Sequence, residues 1–323
     1  MTRTSEQVSA HVRLPDFFIV GHPKSGTTAL YDSLRSRPEI FMPEMKEPVF
    51  FATELPRQAH RYRAPETLEE YAALFEDALP TQLVGEASAS YLWSRAAAGG
   101  IAAMAPDAKI IAILREPASF LHSFHLQMVQ SHNESVKNLR RALALEEKRR
   151  EGSRIPPRSS WPQLLLYSEQ VRYVEQLRRY HERFPREQVV VLIYDDYRKD
   201  NEGTVSEVLS FLELPETGPI EIASANPSVR MRSQRLDDVL TAVSMGSGPA
   251  GRVLKETVKA VVPQSVRRGA LRATQRRFVH ADPDPPDAAL MDEIRRRYRP
   301  EVEALSEYLD RDLVRLWGYD KLA

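Results

Sequence analysis

Gly21-His22-Pro23-Lys24-Ser25-Gly26-Thr27-Thr28 gathers two glycines, a lysine and three hydroxyls directly after the apolar run Phe17-Phe18-Ile19-Val20. A loop between a strand and a helix turns backbone N–H groups toward one point, which makes it a ready anion site. A nucleoside triphosphatase loop reads G-x-x-x-x-G-K-[ST]; Gly21 and Gly26 keep that spacing, but Thr27 stands where the lysine belongs and the lysine sits at 24. A lysine inside the loop can sit beside the bridging oxygen of a donor shorter than a triphosphate. The loop therefore predicts phosphate binding and speaks against an ATP-dependent small-molecule kinase, the rival enzyme class.

A second anion site is expected at Arg115, which follows the apolar run Lys109 to Leu114, with Ser123 eight residues further on in the next helical stretch. An arginine at the carboxyl end of a strand points into the crevice where open α/β sheets bind ligands, and a hydroxyl two turns into the following helix can converge with it. A phosphomonoester suits that pair. A transfer reaction also needs a base, and Lys46-Glu47 followed by Phe50 and Phe51 offers a carboxylate whose burial would raise its pKa. His122 and His125, on either side of Ser123, are the weaker candidates, since a histidine on a helix is more often a packed residue.

These groups need a scaffold that brings strand ends together. Phe17 to Val20, Leu83 to Gly85, Lys109 to Leu114 and Gln188 to Ile193 read as strands, the last two apolar throughout, as strands buried on both faces should be. Helical spacing begins at Thr27 with Leu30, Tyr31 and Leu34 and stops before Pro38; it returns in Tyr167, Val171, Val174, Leu177 and Phe184, and in Val205, Val208, Leu209 and Leu212. Toward the end, Leu290, Ile294 and Tyr298 form one helical face and Val302, Leu305, Leu309 and Leu313 another, with Pro300 as a break or first-turn residue between them. The expected fold is α/β, with a P-loop-like central parallel sheet flanked by helices and a helical C-terminal extension. Residues 1–14 are expected to be a flexible N-terminus and 15–323 one domain, with core 15–235 and extension 236–323. The Arg- and Glu-rich segment 133–162 and the Gly-, Pro- and Arg-rich segment 246–281 read as surface excursions.

Pro23-Lys24-Ser25-Gly26-Thr27-Thr28 together with R-x-P-x5-S at Arg115 to Ser123 resembles the sulfotransferases that use 3'-phosphoadenosine 5'-phosphosulfate (PAPS), in particular the carbohydrate and heparan sulfate group. The resemblance implies Lys24 on the bridging oxygen and phosphosulfate, with Ser25, Gly26, Thr27 and Thr28 around it, and Arg115 and Ser123 on the 3'-phosphate. Lys46-Glu47-Pro48-Val49-Phe50-Phe51 resembles that group's K-E-x-x-F-F segment, which implies Glu47 as base and Lys46 beside the acceptor or sulfonate. Gly85-Glu86-Ala87-Ser88-Ala89-Ser90-Tyr91-Leu92 is similar to its G-E-K-[ST]-P-x-Y stretch, which implies Glu86 and Ser88 on the acceptor side, a buried structural carboxylate being the equal alternative for Glu86; Ala87 replaces the lysine, which argues against a polyanionic acceptor. Arg230 and Arg232, in Asn226-Pro227-Ser228-Val229-Arg230-Met231-Arg232-Ser233, are implied to close over the donor. The implied reaction is sulfuryl transfer from PAPS to a hydroxyl or amine of a small-molecule, carbohydrate, glycolipid or natural-product acceptor, leaving 3'-phosphoadenosine 5'-phosphate (PAP). A non-catalytic PAP-binding protein is the remaining alternative.

Composition sets outer bounds on partners. Lys plus Arg and Asp plus Glu are 45 each in 323 residues, so no global field argues for nucleic acid and any anion site must be local. The chain has no cysteine, which excludes disulfides, thiolate nucleophiles and thiolate metal sites. No metal-ligand spacing occurs, so no metal is expected. With no apolar run long enough for a signal peptide or a membrane span, a cytoplasmic enzyme without stable membrane insertion is expected.

Overall fold

The computed structural model describes residues 13–55, 64–215 and 286–322 in full, and 230–231 and 280–281 as backbone. Five strands form one sheet: β1 (Phe17–Gly21), β2 (Ile40–Phe41), β3 (Leu83–Ala87), β4 (Lys109–Leu114) and β5 (Val189–Ile193). Their order is β2-β3-β1-β4-β5 and every neighbouring pair is parallel. All carboxyl ends therefore share one edge, the edge at which such sheets bind ligands. The unbroken apolar character of β1 and β4 has the expected cause: Phe17 to Val20 and Ile110 to Leu114 are wholly buried, with helices covering both faces.

The crossovers are helical. α1 (Thr27–Arg35) follows β1; α2 (Leu68–Ala72) precedes β3; α3 (Ala97–Met104) and α4 (Pro117–Gln130) flank β4. Between α4 and β5 come α5 (Leu139–Ala144), α6 (Glu146–Arg150), α7 (Tyr167–Gln170) and α8 (Tyr173–His181), and after β5 come α9 (Tyr194–Lys199) and α10 (Asn201–Phe211). A two-stranded ladder pairs β6 (Arg230–Met231) with β7 (His280–Ala281), and the chain ends in α11 (Ala288–Tyr308) and α12 (Leu313–Leu316). α11 packs on α4 and α8, burying Leu290, Met291, Ile294, Val302 and Leu305.

Several expectations need correction. Segment 133–162 is no loose excursion: it carries α5 and α6 and a wholly buried ion pair, Arg149 Nη2 to Glu134 Oε2 at 2.7 Å. α11 runs through Pro300 without ending, held by the buried face on either side of it. The single helix expected from Tyr167 onward is two, because the Gln176 side-chain amide donates to the Glu169 and Gln170 carbonyls (3.0 and 3.2 Å) and replaces the backbone ladder there. Arg13, placed in the flexible terminus, donates to the Gln82 carbonyl at 2.6 Å. The expected core boundary at 235 and nearly all of segment 246–281 lie outside the described residues.

Candidate active site

β1 ends at Gly21 and α1 begins at Thr27, so the loop 22–26 lies at the middle of the sheet's carboxyl edge. Gly26 caps α1 with φ 90°, and a Cβ there would stand 2.9 Å from the Tyr197 ring; only glycine lets the chain turn in that space. No side chain caps the helix, so its first amides remain directed at the loop. Lys24 holds a left-handed backbone (φ 60°), an unfavourable state for a lysine and one that clusters at functional sites.

His22 fastens this loop from beneath. Its N–H donates to the Ile113 carbonyl at 2.7 Å, and its ring is buried between Phe120 and Tyr173. Both amide hydrogens of Gln176 are used on carbonyls, so the Gln176 Oε1 that lies 2.7 Å from His22 Nε2 is an acceptor and the imidazole proton sits on Nε2. Burial lowers the His22 pKa to about 4, the Gln176 bond opposing and the Arg179 charge adding to the shift. The loop is thus pinned by a neutral histidine.

Arg115 leaves the end of β4 toward the same loop. Its Nη1 donates to the Lys24 carbonyl at 2.9 Å, while Nε and Nη2 donate to Ser119 Oγ at 3.1 and 2.8 Å. The guanidinium lies 4.8 Å from the centre of the Tyr194 ring, and the Arg115 carbonyl accepts from the Tyr173 hydroxyl at 2.9 Å. Ser123 is buried on α4 one turn beyond Ser119, on the same helix face. Burial pushes Lys24 below its usual pKa and the Arg115 charge adds to it; burial lowers Arg115 as well. Among the described residues neither cation has a carboxylate within salt-bridge distance. Two half-buried, adjacent cations without an ion-pair partner, at a helix start, make an arrangement suited to an anion.

On the other side of β1, the Glu47 N–H donates to the Ala87 carbonyl at the end of β3 (2.9 Å), with Glu47 in the left-handed region (φ 61°). Val49 is also left-handed (φ 48°), a strained state for a β-branched residue. The Glu47 side chain is 45% exposed and pairs with Lys46 Nζ at 2.9 Å. The burial expected to raise the Glu47 pKa falls instead on Glu86, whose carboxyl is wholly buried and pushed up to about 7. Burial is the main cause; Ser88, Tyr91 and Tyr71 offset part of it and the nearby Glu47 charge adds to it. Tyr71 donates to Glu86 Oε2 at 3.1 Å.

Glu86 and Ser88, expected to face the acceptor, are therefore interior groups. Ser88 Oγ accepts the Val49 N–H at 3.1 Å and the Tyr91 hydroxyl accepts the Phe51 N–H at 3.3 Å, so this cluster shapes the segment that carries Glu47. His125 is committed too, its ring nitrogens lying 2.9 Å from the Tyr167 hydroxyl and 3.1 Å from the Lys137 carbonyl. His122 is half-buried, its pKa lowered by burial and by Arg115. Arg230 is described only as backbone, in a strand that passes beside α4; Arg232 lies outside the described residues. Among the described residues no cluster of acidic or histidine side chains has the arrangement of a metal site, and no helix is long and apolar enough to cross a membrane.

A family model described as "Sulfotransferase family" matches residues 15–218. The chain belongs to the sulfotransferase family. A solved sulfotransferase from Alicyclobacillus acidocaldarius is 27% identical, with a TM-score of 0.59, covering 80% of this chain and 100% of that one. Human carbohydrate sulfotransferase 15 is 32% identical over 37% of this chain and 28% of its own length. The bifunctional heparan sulfate N-deacetylase/N-sulfotransferase 1 of Caenorhabditis briggsae is 28% identical over 63% of this chain and 23% of its own. The matches thus span only about a quarter of these relatives' lengths.

In this sulfotransferase the strand order lays out the site: Glu47 against β3, the Lys24 loop after β1, Arg115 directly after β4 and Tyr194 at the start of α9, directly after β5. Sequence reasoning missed Ser119, Tyr173, Gln176 and Tyr194, whose roles depend on distant partners. It also passed over Glu116, whose place before Pro117 is a helix-start signal: its carboxylate accepts from the Ala118 and Ser119 amides at 3.0 and 2.7 Å.

Proposed function

We propose that this sulfotransferase moves the sulfuryl group of PAPS to the hydroxyl of a small-molecule, carbohydrate or lipid acceptor and releases PAP. The observation that carries this reading is the half-buried pair Lys24 and Arg115, two cations without an ion-pair partner, set just beyond the ends of adjacent strands. A donor with a phosphosulfate at one end and a phosphomonoester at the other supplies negative charge to both. Lys24 with the amides of 25–28 holds the phosphosulfate and offsets charge on the bridging oxygen as the S–O bond breaks. Arg115 and Ser123 hold the 3'-phosphate, with Arg230 or Arg232 closing over it.

Glu47 takes the acceptor proton as the new S–O bond forms. Its strained backbone, pinned to Ala87, and its exposed carboxylate fit a group that must meet an incoming hydroxyl. Lys46 steadies that carboxylate. The absence of a lysine at 87 and the use of Lys46 on Glu47 favour a neutral acceptor over a polyanion.

Thermal stabilisation by PAP and by ADP tests the donor, since an ATP-using enzyme prefers ADP. Labelled PAPS with an acceptor panel tests transfer. Glu47→Gln is expected to keep PAP binding and lose about 100-fold or more in turnover, the usual scale of a general base; turnover at the wild-type rate would remove Glu47 from the role.

A further inference from the structure

Two carboxylates stand close enough to Arg115 to act on its charge, Asp195 and Glu116, yet neither forms an ion pair with it. Each is held by a different residue of the C-terminal tail, beyond the segment 15–218 that the family model matches. The wholly buried Tyr319 donates its hydroxyl proton to Glu116 Oε1 at 2.7 Å. Trp317 Nε1 donates to Asp195 Oδ2 at 3.0 Å. Gly318, between them, takes φ 74°, which turns the chain so that both side chains reach inward. Arg311 pairs with Asp196 one residue further along α9.

From these two anchors, contacts run to the guanidinium. Tyr319 holds Glu116; Glu116 Oε2 accepts from the Ser119 amide; Ser119 Oγ accepts two of the Arg115 N–H groups. Trp317 holds Asp195, the residue after Tyr194, whose ring underlies the same guanidinium. An arginine has five N–H groups. Three are engaged, Nε and one on Nη2 by Ser119 and one on Nη1 by the Lys24 carbonyl, which leaves one on each terminal nitrogen. An arginine grips phosphate oxygens through such N–H groups.

We propose that Tyr319 and Trp317 are positioning residues for recognition of the donor's 3'-phosphate: they keep Glu116 and Asp195 off Arg115 and so leave its guanidinium unpaired for that phosphate. The inference rests on the reading of Arg115 and Ser123 as the 3'-phosphate site. Released from Tyr319, Glu116 could turn from its cap to Arg115 and neutralise it. Release of Asp195 would do the same and loosen the ring beneath. Arg295 Nε, 3.7 Å from Glu116 Oε1, is a further charge facing this group and remains in either variant.

The test compares PAP with adenosine 5'-phosphate, which differ only in the 3'-phosphate, by calorimetric titration of the full chain. The wild type is expected to prefer PAP strongly; equal affinities would overturn the 3'-phosphate reading itself and the inference with it. Tyr319→Phe and Trp317→Phe are each expected to weaken PAP by about tenfold, the scale of a lost hydrogen bond to a charged group, and to leave adenosine 5'-phosphate within about twofold. Adding Glu116→Gln to Tyr319→Phe should restore PAP affinity, because the amide oxygen can still accept the Ser119 N–H at the start of α4 but the side chain cannot neutralise Arg115; a merely structural defect would not be rescued this way. Unchanged PAP affinity in both single variants, or equal losses for both ligands, would overturn the proposal. Should Tyr319→Phe fail to fold, Trp317→Phe read on the same two ligands decides it.

Discussion

Glu86→Gln isolates one buried charge. The carboxyl has a pKa of about 7 in the folded protein against 4.5 for the ordinary group, and it is wholly buried with only the Tyr71 hydroxyl bonded at normal length. Between those two values the folded chain binds the proton more tightly than the unfolded chain. The resulting stability is fully present below about pH 4.5 and is lost as pH rises through 7. At about 1.4 kcal/mol per pKa unit, the loss between pH 5 and pH 8 is roughly 2 to 3 kcal/mol. Gln carries no such titration and keeps an acceptor for Tyr71. Urea unfolding of wild type and variant at both pH values should therefore show wild type losing roughly 2 to 3 kcal/mol relative to Glu86→Gln on going to pH 8. Parallel pH dependences would refute the claim that Glu86 is held neutral inside the fold.

Three further outcomes follow from the same groups. Lys24→Ala should abolish stabilisation by PAP, and because burial and Arg115 lower the Lys24 pKa in the free protein, PAP binding should take up protons at alkaline pH, seen as a buffer-dependent heat in calorimetry. His22, lowered to about 4, costs the fold stability as pH falls from 6.5 toward 4; His22→Asn should flatten that acid limb by about 2 kcal/mol in denaturant titrations at pH 4.5 and 7. Glu134→Gln strands Arg149 in the interior and should lose about 3 to 5 kcal/mol, most of it regained when Arg149→Met is added.

What the sequence made legible was what local order determines. The runs at 17–20 and 109–114 are strands because an apolar segment buried on both faces shows its nature in its own residues, and the loop at 21–28 is readable because glycines, lysine and hydroxyls adjoin it. β2 is two residues long and carries no period, so it could not be read. The break before Tyr173 depends on a side chain six and seven residues away capping two carbonyls, and the apolar spacing runs straight across it. The assignment of burial to Glu47 failed for a related reason. Phe50 and Phe51 did pack inward, Phe50 stacking on Tyr71 at 4.5 Å, but a left-handed backbone at 47 sends the intervening carboxylate outward. The carboxyl that takes the interior place lies on β3, far away in sequence.

Under the proposed chemistry, strand order bears on the side from which an acceptor comes. Neighbouring strands stand about 4.8 Å apart, so Arg115 on β4 and the Glu47 anchor on β3 flank the Lys24 loop at about 10 Å from each other. A donor gripped at its 3'-phosphate by Arg115 and at its phosphosulfate by Lys24 directs the sulfuryl group toward β3. On the β5 side, α9 is tied to the tail through Trp317 and Arg311. The acceptor hydroxyl must then arrive over the segment 46–51, whose shape is set from below by Ser88 and Tyr91. Acceptor choice should respond to substitutions in that segment and donor affinity to substitutions in the tail, because the loop on β1 separates the two.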